Sequence, residues 1–339
     1  MKLETIKVLQ QLLSTPKNVV IIPHKNPDGD AMGSSLGWMH FLNKNNHTAS
    51  VIVPNPYPKF LKWIPGDETV ICFETNEDQA LKRLEKADII CTLDFNSLER
   101  IEVLGEYVRN HAATKIMIDH HREPQDYADI QFSEPEIGST CELVYQIIES
   151  LSALEQIDNT IATCIYVGML TDTGSFRFPS VTPKTHRIVA HLIECGANHA
   201  AIYNQIYNTS TMSRLQLLGQ ALSNLKIVPE YHTAFMTLSQ EELKKFDFQK
   251  GDTEGFVNYA LTIEGVKLAI IMIEDKSEQY VKLSLRSSGS FSVNEMAKKH
   301  FHGGGHINAA GGKYNGSIGE TVQKLTSLLP QYQQALHTS

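Results

Sequence analysis

Apolar positions along this chain fall into two kinds of run, and the two kinds alternate. Short unbroken blocks occur at Val19-Val20-Ile21-Ile22, Val51-Ile52-Val53, Ile89-Ile90-Cys91 and Ile116-Met117-Ile118. They have the length and branched content of strands buried on both faces. Between them come stretches with helical spacing. Leu3, Ile6, Leu9, Leu12 and Leu13 share one face of an opening helix that Pro16 ends. Further helices are predicted from about 33, and over 77–87, 98–110, 138–150, 157–170 and 183–195, with a short strand at Val70-Phe73. Buried strands alternating with helices predict a parallel α/β sheet covered by helices.

Past this region the pattern changes. Residues 198–226 are helical in spacing, and beyond 228 alternating strands are predicted at Tyr231–Leu238, Val266–Ile273 and Tyr280–Leu285. Helices fit at 239–246, 252–262, 293–300 and 319–336. The expected organisation is an α/β domain with a mainly parallel sheet over 1–197, a helical linker over 198–227, and a smaller α+β domain over 228–339.

Composition narrows the class. A chain of 339 residues holds two domains of ordinary size. No apolar run approaches the ~20 residues that cross a bilayer, and Met1-Lys2-Leu3-Glu4-Thr5 opens no signal-peptide pattern. Five dispersed cysteines, with no C-x-x-C pair, suit buried free thiols in a reducing compartment. A cytoplasmic protein is expected. The net charge of −8 and the lack of a long basic run argue against tight binding of long duplex nucleic acid. They leave room for a short anionic substrate held by cations.

The candidate chemistry sits where apolar runs stop. Val19–Pro23 runs into His24-Lys25-Asn26-Pro27-Asp28-Gly29-Asp30, the strand before Asp94 ends on it, and Ile116-Met117-Ile118 ends in Asp119-His120-His121. A predicted helix delivers Asp172 at its end. One Asp at a strand end is usually a cap or turn residue. Several on strands of one predicted sheet point to a site, because ligands of open α/β sheets bind at the carboxyl ends of strands. Mixed carboxylates and imidazoles suit divalent manganese, and less specifically magnesium, iron, cobalt or zinc. With no thiolate in any motif, a structural zinc site is not expected. Four carboxylates and two imidazoles exceed the needs of one catalytic ion and predict two divalent ions.

These stretches resemble the DHH phosphoesterase superfamily. His24-Lys25-Asn26-Pro27-Asp28-Gly29-Asp30-Ala31-Met32-Gly33-Ser34 is similar to its first signature, and Asp94 in Cys91-Thr92-Leu93-Asp94 to its second. Asp119-His120-His121 is similar to the namesake triplet, and Asp172 in Gly168-Met169-Leu170-Thr171-Asp172-Thr173-Gly174 to the fourth. Phe301-His302-Gly303-Gly304-Gly305-His306-Ile307-Asn308-Ala309-Ala310-Gly311-Gly312 resembles the signature of the associated DHHA1 domain. The whole is most similar to the stand-alone NrnA-type branch, nanoRNases that also dephosphorylate adenosine 3′,5′-bisphosphate.

The resemblance implies one ion on His24, Asp28 and Asp94, and another on Asp30, Asp94, His120 and Asp172, with Asp94 shared. It implies that Asp119 orients an imidazole, while His121 faces the substrate and contacts the scissile phosphate or protonates the leaving oxygen. The second domain would bind substrate through Arg286, a backbone nest at Gly303-Gly304-Gly305, and His306. The implied activity is manganese-dependent 3′–5′ cleavage of short oligoribonucleotides and dephosphorylation of mononucleotide bisphosphates; a homodimer is a separate expectation. The alternative within enzymes is a phosphodiesterase for cyclic or linear dinucleotides, c-di-AMP or pApA. The glycine-rich C-terminal signature disfavours an inorganic pyrophosphatase, and the intact motifs disfavour a non-catalytic nucleotide sensor.

Overall fold

The computed structural model describes residues 3–275 and 279–338. The chain divides into two compact units, Met1–Thr209 and Ser210–Ser339.

The first unit is built on six parallel strands: β1 (Asn18–Pro23), β2 (Thr48–Val53), β3 (Ile71–Cys72), β4 (Ile89–Leu93), β5 (Thr114–Asp119) and β6 (Ile130–Ser133). Their order is β3-β2-β1-β4-β5-β6, so the chain leaves β3 at one edge and resumes on the far side of β1. Both faces are covered. Val19 and Ile21 of β1 join a core with α1 (Leu3–Leu12), α2 (Gly29–Lys44), α5 (Thr140–Ser150), α6 (Asn159–Asp172), α7 (Pro183–Glu194) and α8 (His199–Tyr207). Val20 and Ile22 join a second core with α3 (Glu77–Leu84) and α4 (Val103–Asn110). That two-sided burial is why these strands are unbroken apolar blocks.

The second unit holds a mixed sheet: β7 (Lys226–Val228), β8 (Thr233–Leu238), β9 (Leu268–Asp275), β10 (Tyr280–Ser287), β11 (Gly304–Gly305) and β12 (Ala309–Tyr314), in the order β11-β12-β10-β9-β8-β7. Only β8 and β9 pair in parallel. Helices α9 (Met212–Ser223), α10 (Gln240–Lys245) and α11 (Phe256–Leu261) cover one face of β8 and β9. The helices α12 (Val293–His300) and α13 (Ile318–Thr338) cover the opposite face.

Several expectations shift. Helix α2 begins at Gly29, not near 33, because the Asp28 side chain accepts the amide N–H groups of Asp30 and Ala31 and caps it. The stretch 98–110 breaks at Glu102 (φ 48°) into a 3-10 turn and α4. The helix over 252–262 shrinks to α11. Strands β6, β7, β11 and β12 were outside the expected set; they are short, polar or glycine-rich, and are defined by their partners. The stretch 198–227, expected as a linker, holds α8 and α9, one in each unit. All five cysteines are free; Cys91, Cys141 and Cys164 are buried and Cys72 and Cys195 partly so. No helix among the described residues is long and apolar enough to cross a membrane.

Candidate metal and phosphoester site

In the first unit, strand order decides where chemistry gathers. The connections from β1 and β4 leave in opposite directions, and ligands bind at the carboxyl ends of strands beside such a reversal. His24 follows β1 and Asp94 follows β4. His120 and His121 follow β5, the next strand over. Asp94 is left-handed (φ 65°), a conformation that Asp tolerates at modest cost. Its amide donates to Ile118 O at 3.0 Å, which ties the turn to β5.

The two carboxylates from the helices reach this edge by close backbone packing. Gly29 and Gly33 on α2 face α6, where a Cβ at Gly33 would lie 2.5 Å from Cys164 O. A Cβ at Gly168 of α6 would lie 2.5 Å from Asp30 Oδ1. Only bare backbone at these positions lets α2, which carries Asp30, lie against α6, which ends in Asp172.

The structure therefore brings all six expected metal ligands to one edge of the sheet. Two groups have ligand atoms within 4.8 Å of one another: His24 with Asp28 and Asp94, and Asp30 with His120 and Asp172. A third comprises Asp94, Asp119 and His121. Asp94 links them. Its Oδ2 is 3.5 Å from His24 Nε2, and its Oδ1 is 3.5 Å from His120 Nε2 and 3.7 Å from His121 Nδ1. His120 Nε2 also lies 3.7 Å from Asp30 Oδ2 and 3.2 Å from Asp172 Oδ2.

The imidazoles supply a test of whether these residues fit a cation. His24 Nδ1 lies 2.8 Å from Lys25 O and His120 Nδ1 lies 3.0 Å from Ile137 O. Carbonyls only accept, so each Nδ1 is protonated and each Nε2 is turned toward carboxylate oxygens. The ionised oxygens of Asp94 call for a positive charge at each Nε2, either a second proton or a metal ion. Burial opposes the charged His120 ring, but hydrogen bonding to Asp94 and the charges of Asp172, Asp94 and Asp30 raise its pKa well above the usual value. His24 is raised in the same sense by Asp94 and Asp28, again against its burial. Burial pushes Asp30 far up, reinforced by Asp94 and Asp172, and burial lifts Asp172 to about 6. Asp94 is the exception. Against its burial, His120 and His24 hold it well below the carboxylate range. A group of carboxylates that repel one another, with Asp30 and Asp94 buried and Asp28 and Asp172 partly exposed, and with imidazole nitrogens aimed among them, fits divalent cations.

His121 and Asp119 stand differently. Asp119 is fully buried, and its Oδ1 accepts from His121 Nδ1 at 2.7 Å. That bond fixes the ring and puts Nε2 on its opposite edge.

Four contributors escaped the sequence reading. The amides of Thr140 and Cys141, opening α5, donate to Asp30 Oδ2 at 2.6 Å and Oδ1 at 2.9 Å. The Thr140 hydroxyl donates to Asp94 Oδ1 at 2.9 Å. Asn55 exchanges two hydrogen bonds with Asn26, at 2.7 and 2.8 Å, and pins the loop between His24 and Asp28. Gly168 is the fourth. The helix start at Gly138-Ser139-Thr140 was visible, but nothing in it signals that its amides meet a carboxylate 110 residues away.

In the second unit, Arg286 and His306 share a sheet face. His306 and Ala309 exchange backbone hydrogen bonds across the β11–β12 turn, and Ala309 is the register partner of Arg286. Residues directly opposite in antiparallel strands point the same way. The next row holds Gly304, Gly311 and Ser284. A Cβ at Gly304 would find its nearest neighbour at 3.7 Å, and one at Gly311 at 3.8 Å, so these two leave a bare floor. Gly303 and Gly305 differ. Their amides donate to Ala297 O and Asn294 Oδ1, at 3.2 and 3.0 Å, and a Cβ on either would collide with β12. The expected anion nest does not form at those two positions, because their donors are already taken by α12.

Two family models match the chain: the DHH family, N-terminal domain, over residues 18–169, and the DHHA1 domain over residues 230–337. The bifunctional oligoribonuclease and PAP phosphatase NrnA of Thermus thermophilus is 29% identical, over 92% of this chain and 89% of its own length. The cyclic-di-AMP phosphodiesterase PdeA of Listeria monocytogenes is 25% identical over 96% of this chain, which spans 49% of that protein. Among solved structures, an exopolyphosphatase-related protein from Bacteroides fragilis has a TM-score of 0.95 and 41% identity, covering 99% of this chain and 98% of that one.

Proposed function

The chain belongs to the DHH family and carries a DHHA1 domain, and from that premise we propose that it hydrolyses short oligoribonucleotides from the 3′ end and removes the 3′-phosphate of adenosine 3′,5′-bisphosphate. The observation that carries the reading is the set of imidazole nitrogens and carboxylate oxygens converging on Asp94. One divalent cation would be held by His24, Asp28 and Asp94, and a second by Asp30, Asp94, His120 and Asp172, with manganese the preferred metal. Such cations supply Lewis acidity for attack of water on phosphorus and offset the charge that develops there.

The side chains do the rest. Asp119 holds the His121 Nδ1 proton, so that Nε2 meets the scissile phosphate or delivers a proton to the leaving oxygen. Arg286 and His306 flank the bare floor of Gly304 and Gly311, where a flat base or a terminal phosphate fits. In this reading residues 1–197 form the catalytic domain, residues 228–339 bind substrate, and the enzyme works in the cytoplasm. The T. thermophilus relative named for oligoribonuclease and PAP phosphatase activity supports the choice of substrate.

The test is a substrate panel with manganese: dinucleotides, longer RNA, adenosine 3′,5′-bisphosphate, c-di-AMP, pApA and pyrophosphate. Turnover of dinucleotides, pApA among them, and of the bisphosphate above the rest is expected. Faster turnover of c-di-AMP than of either would favour the dinucleotide phosphodiesterase reading. No hydrolysis of any member would overturn the proposal.

A further inference from the structure

Thr140 sits at the start of α5, where the Ser139 side chain accepts from Glu142 N and caps the helix. Thr140 and Asp94 are both buried, so their 2.9 Å hydrogen bond is shielded from water. The bond goes to one oxygen only. Asp94 Oδ1 faces Thr140, His120 and His121, while Oδ2 faces His24. A carboxylate turns about its last bond on a broad torsional potential, so some contact must hold its two oxygens toward opposite imidazoles. The hydroxyl is such a contact. It donates, and the two histidines on that side stand farther off at 3.5 and 3.7 Å. The same residue's amide, with that of Cys141, fixes both oxygens of Asp30.

We infer that Thr140 is a positioning residue for the shared carboxylate: its hydroxyl sets the rotation of Asp94, and so apportions one oxygen to each of the two cation positions. The inference rests on the two-cation reading above. It assigns Thr140 no contact with substrate. Removing the hydroxyl leaves Asp30 held by the backbone and frees Asp94, the carboxylate that serves both cation positions, so cation binding weakens.

The experiment is calorimetric titration of the metal-free full chain with Mn2+ alone, comparing wild type, Thr140→Val and Thr140→Ser. Loss of a residue that orients a metal ligand typically weakens metal binding about 10–100-fold. Thr140→Val is expected to weaken at least one binding step by that factor and to lower the metal-free melting temperature by several degrees, as loss of a buried hydrogen bond does, with the fold kept. Thr140→Ser keeps the hydroxyl and is expected to restore binding to near wild type. Wild-type affinity at both steps in Thr140→Val overturns the assignment. So does a Thr140→Ser variant as weak as Thr140→Val, which would show that the hydroxyl by itself does not hold Asp94. If Thr140→Val fails to fold, Thr140→Ala with the same Ser comparison decides. A wild-type chain that takes up no Mn2+ would instead sink the metal reading on which the inference stands.

Discussion

Gly168→Ala separates close backbone packing from ordinary helix chemistry, because the two predict opposite signs. Gly168 lies inside α6. In an uncrowded helix interior, Ala is favoured over Gly by about 1 kcal/mol. Here the added Cβ would lie 2.5 Å from Asp30 Oδ1 and 2.9 Å from Asp30 Cα, and closer still to Cys141 Sγ. Carbon contacts relax at ~3.5–4.0 Å, so the start of α2 must retreat by roughly 1 Å. Overpacking of that kind costs about 1–3 kcal/mol. Set against the helix gain, it leaves a net loss of up to ~2 kcal/mol, a fall of several degrees at about 2–4 °C per kcal/mol in a domain of this size. The larger effect is local. The backbone that must move carries Asp30, and a ~1 Å misplacement at a reacting centre costs about 100-fold. The assay pairs melting of the metal-free protein with manganese-dependent turnover of adenosine 3′,5′-bisphosphate. A variant that melts higher than wild type and keeps full turnover would refute the claim that this glycine positions Asp30.

Three further outcomes are expected. Asp94→Asn keeps the size and left-handed tolerance of the residue but removes its charge, and it should lower turnover by more than the ~100-fold typical of an outer partner; near wild-type activity would end the shared-ligand model. Gly311→Ala should fold normally, since the nearest atom to its Cβ is at 3.8 Å, yet raise the Michaelis constant for a dinucleotide, whereas Gly303→Ala should destabilise the second unit against Gly311 and Gly312; equal melting temperatures for the two variants would contradict the division of the glycines. The stabilisation by Mn2+ should grow from pH 5 to pH 8. Between 3.8 and about 6 the folded metal-free chain holds a proton on Asp172 that the unfolded chain releases, so this contribution is lost as pH rises. His120 and His24, both raised, likewise contribute fully below 6.5 and lose that contribution as pH rises through their folded values. Cations must displace these same protons, and a calorimetric stabilisation by Mn2+ that ignores pH would count against it.

What was legible in the sequence was whatever a side chain advertises. Strands β1, β4 and β5 are buried on both faces and are written as apolar blocks, and the groups that end them stand out by contrast. Strand β12, Ala309-Ala310-Gly311-Gly312-Lys313-Tyr314, has no such signature. It exists because β10 pairs with it along six residues, and its glycines serve close approach or an open floor. Asp28 was visible as a candidate ligand but not as the cap that starts α2 four residues early. The amides of Thr140 and Cys141 were invisible because every residue has one; only the fold aims them at Asp30.

The sheet order explains why Asp94, rather than the Asp-His-His triplet, joins the two groups. Strand β4 lies between β1 and β5. Neighbouring strands stand about 4.8 Å apart, so the ends of β1 and β5 are separated by roughly twice that. A side chain from either outer strand reaches one group and falls short of the other. Only the middle strand ends next to both, and its terminal residue offers two oxygens that diverge toward the histidines on either side. A neutral side chain there would leave the two imidazoles facing each other without the shared negative charge. It follows that His24 and His120 are coupled through Asp94, and a change at either is expected to alter cation binding at the other.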